Sequence, residues 1–210
     1  MESLPVVDRG MRYEYRDLPQ GVDERQSLDF YSPYGCSKGT ADQYVRDYAR
    51  IYDLKTVVFR QSCIYGERQF GVEDQGWVAW FIIASVLGKP LTIYGDGKQV
   101  RDLLHVDDLA AMYEKALNKI ELCKGKVYNA GGGAANTLSL LELVDLLGLP
   151  KDKLKFGEWR KGDQPVFYCD VSSAKRDLGW SPQIGVADGV GRLHQWVKEN
   201  AAMIEGVLKA

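Results

Sequence analysis

The chain has 210 residues, of which 45% are hydrophobic and 27% charged, and its 27 lysines and arginines stand against 29 aspartates and glutamates. This composition is that of an ordinary globular protein and excludes a disordered chain, a collagen and a coiled coil. The net charge of −2 leaves no positive excess to hold a phosphate backbone, so nucleic acid is disfavoured as a partner.

The predicted elements alternate between helices and strands. Residues 1–31 are polar and broken by prolines and glycines, which predicts a loop. Ser32 is a good N-cap, Pro33 fits the first helical position, and aromatic or apolar residues then recur at helical spacing as far as Tyr52. The remaining predicted elements, in chain order, are a strand at 56–60, a loop at 66–76, a helix at 77–87, strands at 91–94 and 100–106, a helix capped by Asp107 and ending at Asn118, a strand at 126–130, a helix at 139–147, a strand near 166–169 and helices near 172–178 and 186–199. This alternation predicts an α/β fold.

Cysteines, histidines and apolar runs restrict the compartment and the kind of site. The four cysteines are dispersed and lie far in sequence from the two histidines, so no metal site is predicted. Dispersed cysteines without a disulfide framework favour a reducing, cytoplasmic compartment. The first residues show no signal-peptide pattern, and the longest apolar run, 77–87, is too short to span a membrane.

The most informative local pattern is Tyr34 followed four residues later by Lys38. Residues four apart on a helix project from the same face, and a neighbouring ammonium favours the ionised form of a phenol, which can take a proton from a sugar hydroxyl. Tyr94 and Lys98 have the same spacing but flank Gly-Asp-Gly, which does not form a stable helix. Spacing and context alone leave two interpretations of the first pair open: an acid/base pair, or a tyrosine packed in the first turn beside a solvated lysine.

Further motifs occur along residues 1 to about 198, and their separations in the chain match those of one protein family. They are SPYGCSK at 32–38, FRQSCIYG at 59–66, YGDGKQVRD at 94–102, RKGDQ at 160–164 and LGWSP at 178–182. Together they resemble the extended short-chain dehydrogenase/reductase family of nucleotide-sugar epimerases and dehydratases. The resemblance implies that residues 1–66 belong to the C-terminal part of a Rossmann-like NAD-binding sheet. Residues 67–210 would mainly form a smaller α/β substrate domain, with some segments returning to the Rossmann part.

The resemblance also implies an activity and its partners. The cofactor would be NAD, and the reaction would epimerise a nucleotide-linked sugar by transient oxidation to a keto sugar. The segments 66–70 and 74–77 most resemble the members that act at C2 of a CDP-linked deoxyhexose. A 4-epimerase or a 4,6-dehydratase of the same family stays an alternative, and a homodimer is expected.

The roles that the resemblance implies fall on three groups of residues. Tyr34 would be the general acid/base, with Lys38 holding the nicotinamide ribose and tuning Tyr34. The residues expected at the nicotinamide end of the cofactor are Gln61, Ser62 and Cys63. The residues expected to bind substrate are Arg101 and Arg160 at the diphosphate or nucleotide, Asp163 at ribose or base, Thr92 and Tyr94 at the base edge, and Arg68 and Gln75 in the two subgroup motifs. From the residues alone, each arginine is better explained as a surface charge, and Arg101 alternatively as a partner of its neighbour Asp102.

The family's glycine-rich turn, which binds the NAD pyrophosphate at a helix N-terminus, has one candidate at 131–136. Asn136 stands where the third glycine belongs, and the next predicted helix begins too late, so we interpret 131–133 as a substrate-domain loop. The resemblance then implies a truncated chain that lacks about four βα units and the catalytic Ser/Thr. A non-catalytic nucleotide-sugar-binding module, or half of a split enzyme, is therefore the second hypothesis. His105 and the tryptophans at 77, 80, 180 and 196 are predicted to be core residues.

Overall fold

The structure is a computed structural model that describes residues 4–150 and 154–209. In it, helix α1 (Pro33–Tyr52) begins and ends at residues that the local sequence determines. The first amides of a helix lack partners within it, and the Ser32 side chain accepts a hydrogen bond from the Gly35 N–H at 3.0 Å. The helix ends at Asp53, which adopts a left-handed φ of 58° and donates its N–H to the carbonyl of Tyr48. The helix predicted from Ser32 and Pro33 is confirmed.

The other elements follow in the alternating order of an α/β protein, which confirms the predicted fold class. The strands of the described residues are β1 (Val6–Asp8), β2 (Tyr13–Tyr15), β3 (Val58–Gln61), β4 (Cys63–Tyr65), β5 (Leu91–Tyr94), β6 (Val100–His105), β7 (Val127–Ala130), β8 (Thr137–Ser139), β9 (Leu154–Gly157) and β10 (Val166–Phe167). Their helices are α1, α2 (Trp77–Val86), α3 (Val106–Asn118), α4 (Ile120–Cys123), α5 (Leu140–Leu146), α6 (Ser172–Leu178), α7 (Val186–Glu199) and α8 (Ala201–Lys209), with a 3-10 turn at Ala134–Asn136.

Most strand pairs are parallel. β6 is the centre of one sheet, with β4 and β10 parallel to it and β8 antiparallel. β3 pairs with β7 in parallel, and the chain passes through Ser62 from β3 directly into β4. β5 and β9 form a separate parallel pair, and β1 and β2 form an antiparallel hairpin. The carboxyl ends of β3 and β7 therefore lie side by side, as Gln61 pairs with Ala130.

Two large apolar clusters fill the interior. One joins α2, β5, α5 and α7, and its members Ile82, Ile83 and Leu193 have no exposed surface. The other lies among α3, α6 and β7 around Trp180, whose indole N–H donates to the Asp108 carbonyl at 2.9 Å. Burying such side chains supplies about 1.5–3 kcal/mol each. These clusters pack against β5, β6 and β7, and β5 and β6 carry Thr92, Tyr94 and Arg101 of the predicted site.

Several sequence predictions need correction. Residues 1–31 contain the β1–β2 hairpin and are not all loop, because the two strands pair over three residues that no local signal marks. The cap of α3 is His105, whose Nδ1 accepts from the Asp107 N–H at 3.2 Å, and not Asp107. The other elements that the prediction missed are β4, α4, the 3-10 turn, β8, β9 and α8. The strand near 166–169 covers only Val166–Phe167.

Within the described residues, no helix combines the length and the apolar character needed to cross a bilayer. The same part of the chain contains no group of three or more His, Cys, Asp or Glu side chains arranged to hold a metal ion.

Candidate functional site

Tyr34 and Lys38 lie on the same face of the first turns of α1. The Lys38 Nζ is 5.4 Å from the centre of the Tyr34 ring, and the tyrosine keeps 72% of its surface exposed. The turn itself is fixed by the Ser32 cap and by Ser37, whose hydroxyl donates to the Tyr34 carbonyl at 2.7 Å. A phenol and an ammonium are thus presented together to the outside of the helix, so the phenol does not pack into a core.

The β3–β4 junction carries the residues expected at the nicotinamide end of the cofactor. Gln61 is exposed at the carboxyl end of β3, and its amide donates to the Tyr113 hydroxyl. The Ser62 hydroxyl donates inward, to the carboxylate of Asp102. Burial raises the pKa of the Cys63 thiol to about 12, so this group stays a neutral thiol at physiological pH. Of the three side chains, Gln61 faces outward, and the other two hold the junction in place.

Asp102 is a buried anchor that the sequence analysis did not single out. It has no exposed surface and accepts from the Ser62 hydroxyl, from the Gly133 N–H at 3.1 Å and from the Cys169 N–H at 3.4 Å. Burial raises its pKa, and these donors oppose that shift by stabilising the carboxylate. The carboxylate therefore ties the β3–β4 junction to the loop after β7 and to the end of β10.

Arg101 points away from Asp102, which corrects the suggestion that these neighbours pair. Successive side chains of a strand alternate between its faces, so Arg101 leaves the face on which Asp102 is buried. Its guanidinium lies 2.5 Å from Asp163 and also donates to the carbonyls of Val100 and Gln164, each at 2.8 Å. The structure thus brings together Arg101 and Asp163, two of the residues expected at the nucleotide.

Arg160 and Tyr94 form the second part of this group. The guanidinium carbon of Arg160 is 4.1 Å from the centre of the Tyr94 ring. Arg160 also pairs with Asp74 at 2.8 Å and donates to the carbonyl of Glu73, while the Tyr94 hydroxyl donates to the Glu73 carboxylate at 3.1 Å. The loop at 73–75 therefore lies over β5 and Arg160, and it holds Arg160 with a carboxylate that an anionic ligand can replace.

The remaining predicted residues are less tightly grouped. Thr92 lies on β5 on the same side as Tyr94, two residues away, and both are partly exposed. Gln75 follows Asp74 and exchanges two backbone hydrogen bonds with Val72, which closes that loop. Arg68 lies at the surface with a left-handed φ of 68°.

The glycine run at 131–133 serves close packing. A Cβ on Gly131 would lie 2.2 Å from an Asp102 oxygen, and one on Gly132 would lie 2.1 Å from the Leu103 carbonyl. The run leads into the three-residue 3-10 turn at Ala134–Asn136, not into an α-helix. These glycines therefore press against β6, and the geometry agrees with their interpretation as a loop that binds no pyrophosphate.

Two features outside the predicted site have their own explanations. His105 is fully buried and lies 3.0 Å from Glu67, so it is a satisfied core residue, as predicted. A cleft of about 670 Å³ beside β7 is lined by charged residues. Several of its cations pair with carboxylates, such as Arg60 with Asp42 at 2.7 Å and Lys126 with Asp177 at 2.9 Å, so the lining carries charges of both signs.

Sequence reasoning missed the partners Glu73, Asp74 and Asp102. Two adjacent acidic residues before Gln75 were the available signal for the first two, but their contact with Arg160 joins distant parts of the chain. For Asp102, a charged residue within the apolar strand β6 was the signal, since a carboxylate inside a strand is buried only when donors surround it.

Comparisons with known proteins place the chain in a family. Residues 14–131 match the model of the NAD dependent epimerase/dehydratase family. The CDP-paratose 2-epimerase of Salmonella typhi is 47% identical over 204 residues, which is 93% of this chain and 60% of that protein.

Solved structures of similar enzymes share the fold. The UDP-glucose 4-epimerase of Thermotoga maritima, solved with UDP-glucose, superposes with a TM-score of 0.77 and 29% identity over 86% of this chain and 58% of its own. The dTDP-glucose 4,6-dehydratase of Bacillus anthracis, solved with NAD, gives a TM-score of 0.76 and 27% identity over 96% of this chain and 60% of its own. The chain thus spans about 60% of the length of these relatives.

Proposed function

The chain belongs to the NAD dependent epimerase/dehydratase family, and we propose that it carries the catalytic Tyr–Lys pair and the nucleotide-sugar site of a CDP-sugar 2-epimerase. The observation that carries the proposal is the exposed Tyr34 hydroxyl, presented beside the Lys38 ammonium on the first turns of a capped helix. The similarity to the CDP-paratose 2-epimerase supports CDP as the nucleotide and C2 as the carbon.

The proposed chemistry assigns one proton to one side chain. Tyr34 takes the proton of the sugar hydroxyl as the carbon is oxidised. It returns the proton after the keto sugar has reoriented, so that hydride comes back to the opposite face of the carbon. Lys38, whose Nζ lies 5.4 Å from the centre of the Tyr34 ring, holds the hydroxyls of the nicotinamide ribose. The oxidation and the reduction balance within one turnover, so the sugar is isomerised and no cofactor is consumed.

NAD supplies the hydride acceptor and donor when it is bound. The residues of this chain fit its nicotinamide ribose end, because Tyr34, Lys38 and the exposed Gln61 all present hydrogen-bonding groups to the outside. The 131–133 run does not fit the pyrophosphate, since Gly131 and Gly132 are pressed against β6 and the run leads into a 3-10 turn. In the proposed enzyme, Tyr34, Lys38 and Gln61 therefore orient only the nicotinamide end of the cofactor.

The nucleotide side is proposed to lie at Arg101, Arg160 and Asp163. Guanidinium groups bind phosphate oxygens through paired N–H donors, and a carboxylate accepts hydrogen bonds from ribose hydroxyls. Arg160 and Asp163 are held close by the backbone bond from the Asp163 N–H to the Arg160 carbonyl at 3.1 Å. This turn places a cation and an acceptor close together, where the cation can meet the diphosphate while the carboxylate accepts from a ribose hydroxyl.

A nucleotide-sugar-binding module without turnover is the second candidate. The tight packing of the 131–133 run favours it, because that run was the one sequence candidate for the pyrophosphate turn. All the residues proposed for the nucleotide, in contrast, lie within this chain.

Turnover separates the two candidates. The chain is incubated with NAD and CDP-paratose, and the sugar is followed by proton NMR, while calorimetry measures CDP binding. Appearance of the C2 epimer supports the epimerase. CDP binding without the epimer supports the binding module, and the absence of CDP binding refutes both.

A further inference from the structure

Trp159 differs from the other tryptophans of the chain in its exposure. Trp180 keeps only 2% of its surface exposed, and the tryptophans at 77, 80 and 196 are partly buried against the main apolar cluster. Trp159 keeps 42% exposed, on the segment that leads from β9 to Arg160. Exposure of a large aromatic ring to water is unfavourable unless a ligand or a partner covers the ring.

The indole of Trp159 is nevertheless held in place by Gly95. A Cβ at Gly95 would lie 2.7 Å from the Cε2 and 2.8 Å from the Cδ2 of Trp159. These two atoms are shared by both rings of the indole, so the glycine lies against the middle of one ring face. Gly95 also has a φ of +86°, which side chains disfavour, and it donates its N–H to the Gly157 carbonyl at 3.0 Å. The turn after β5 is thus shaped to seat the indole.

Arg160, the next residue in the chain, lies on the other aromatic ring of this group, that of Tyr94. The Arg160 guanidinium covers one face of the Tyr94 ring, and the Tyr94 hydroxyl already donates to the Glu73 carboxylate. The Trp159 ring therefore covers Gly95, and the Arg160 cation beside it covers Tyr94. The exposed indole is the open aromatic surface of this group.

We propose that Trp159 is the platform on which the base of the bound nucleotide stacks, with its phosphates at Arg160; this rests on the proposed function. Every nucleobase has an apolar face that stacks on an indole, and a seated indole loses little freedom on binding. The base lies on Trp159, the ribose reaches Asp163, and the diphosphate reaches the guanidinium of Arg160 in exchange for Asp74. Trp159 thus contributes affinity for the base, and the arginines contribute affinity for the charge.

Fluorescence and calorimetric titrations of the full chain test this assignment, with CDP as the ligand and pyrophosphate as the base-free control. CDP should quench tryptophan emission, and pyrophosphate should not. Trp159→Leu should remove the quench and weaken CDP binding about tenfold while leaving pyrophosphate binding unchanged. Trp159→Phe should also lose the quench, but should restore most of the CDP affinity, because a phenyl ring still stacks.

Phe156 provides a matched control. It is 58% exposed on β9 but lies on the face opposite to that of Gly157, which touches the Tyr94 ring. Phe156→Leu should leave CDP affinity and quenching unchanged. If Trp159→Leu bound CDP like the wild type while Arg160→Ala weakened it, the platform would be refuted and the proposed function would stand. If the wild type bound no CDP, both would fail.

Discussion

The proposed chemistry depends at the residue scale on Tyr34, an exposed phenol beside one ammonium. The pair owes its position to local bonds: the Ser32 cap starts the helix, and the four-residue spacing brings Lys38 over the ring. The neighbouring residues do not need the exposed Tyr34 hydroxyl for their packing. That hydroxyl is therefore a group that can be removed without loss of the fold.

Replacing Tyr34 with phenylalanine tests the acid/base role. Tyr34→Phe removes only the titrating hydroxyl, so epimerisation by the active enzyme should fall about 10²–10⁴-fold while CDP binding stays unchanged. Steady-state rates and calorimetry measure the two effects. Tyr44→Phe is the control, because Tyr44 is 63% exposed on the same helix and has no assigned role. Retention of most activity in Tyr34→Phe would show that another group moves the proton.

The two arginines differ in how firmly they are held. Arg101 has three protein acceptors, one carboxylate and two carbonyls, which fix its position. Arg160 has Asp74 and a longer bond to the Glu73 carbonyl, and Asp74 itself is exposed. An exposed ion pair contributes little, about 0–1 kcal/mol. A nucleotide can therefore replace Asp74 at Arg160 at small cost.

At the scale of elements, the β1–β2 hairpin is attached to the turn after β5 by side chains. The Tyr13 hydroxyl donates to Asp96 at 2.6 Å, and Lys98 pairs with Asp8 at 2.7 Å. Donation to a carboxylate raises the pKa of Tyr13 to about 12, since ionisation would place two negative charges together. The hairpin and the turn that seats Trp159 are thus linked by the Lys98–Asp8 ion pair and by the Tyr13 hydrogen bond, which is lost when Tyr13 ionises.

Tyr13→Phe should lower the free energy of unfolding by about 1 kcal/mol at pH 8. A pKa raised in the folded state stabilises the fold fully below the unfolded value of about 10, and the contribution is lost as pH rises through about 12. The difference between wild type and variant should therefore shrink between pH 10 and pH 12. Urea unfolding at several pH values measures it, with the exposed Tyr31→Phe as the control. A difference that did not change with pH would contradict the account.

Elements with strong local signals were predictable from the sequence, and those defined by pairing were not. α1 has a cap residue, a first-turn proline and a periodic pattern, and α5 has the Ser139–Glu142 capping box. β8 and β9 exist because they pair with β6 and β5, which the local sequence does not show.

The candidate site follows the same rule. The Tyr34–Lys38 spacing is local and was visible in the sequence. The pairing of Arg160 with Asp74, and of Arg101 with Asp163, joins distant segments and required the fold. The seat of Trp159 on Gly95 is a contact of the same kind, because a glycine in a turn shows only that the backbone must bend.

Taken as a whole molecule, the described residues leave two surfaces uncovered. The aromatic stripe of α1 is exposed, with Tyr44, Tyr48 and Tyr52 each between 47% and 63% accessible. Among the described strands, β3 pairs with β7 alone, so its other edge has free backbone groups. Parallel strands are normally covered on both faces and both edges. The chain also spans about 60% of the length of its relatives.

The isolated chain should therefore associate. An unpaired strand edge beside an exposed aromatic face recruits other chains, so light scattering should show oligomers or aggregates that grow with concentration. Tyr48→Glu, on the exposed face of α1, should reduce this association, whereas a charge at a distant exposed position such as Met203→Glu should not. A sharp monomeric peak with one cooperative melting transition would contradict this expectation.

Calorimetry with CDP tests most directly the nucleoside diphosphate site proposed at Arg160 and Arg101. Removing a hydrogen bond to a charged group costs about 1.5–3 kcal/mol, so Arg160→Ala and Arg101→Ala should each weaken CDP binding roughly tenfold to a hundredfold. Lys161→Ala removes an exposed neighbouring charge without an assigned role and should change the affinity little. Equal affinities for CDP across all three variants would show that these arginines are surface charges and would contradict the account.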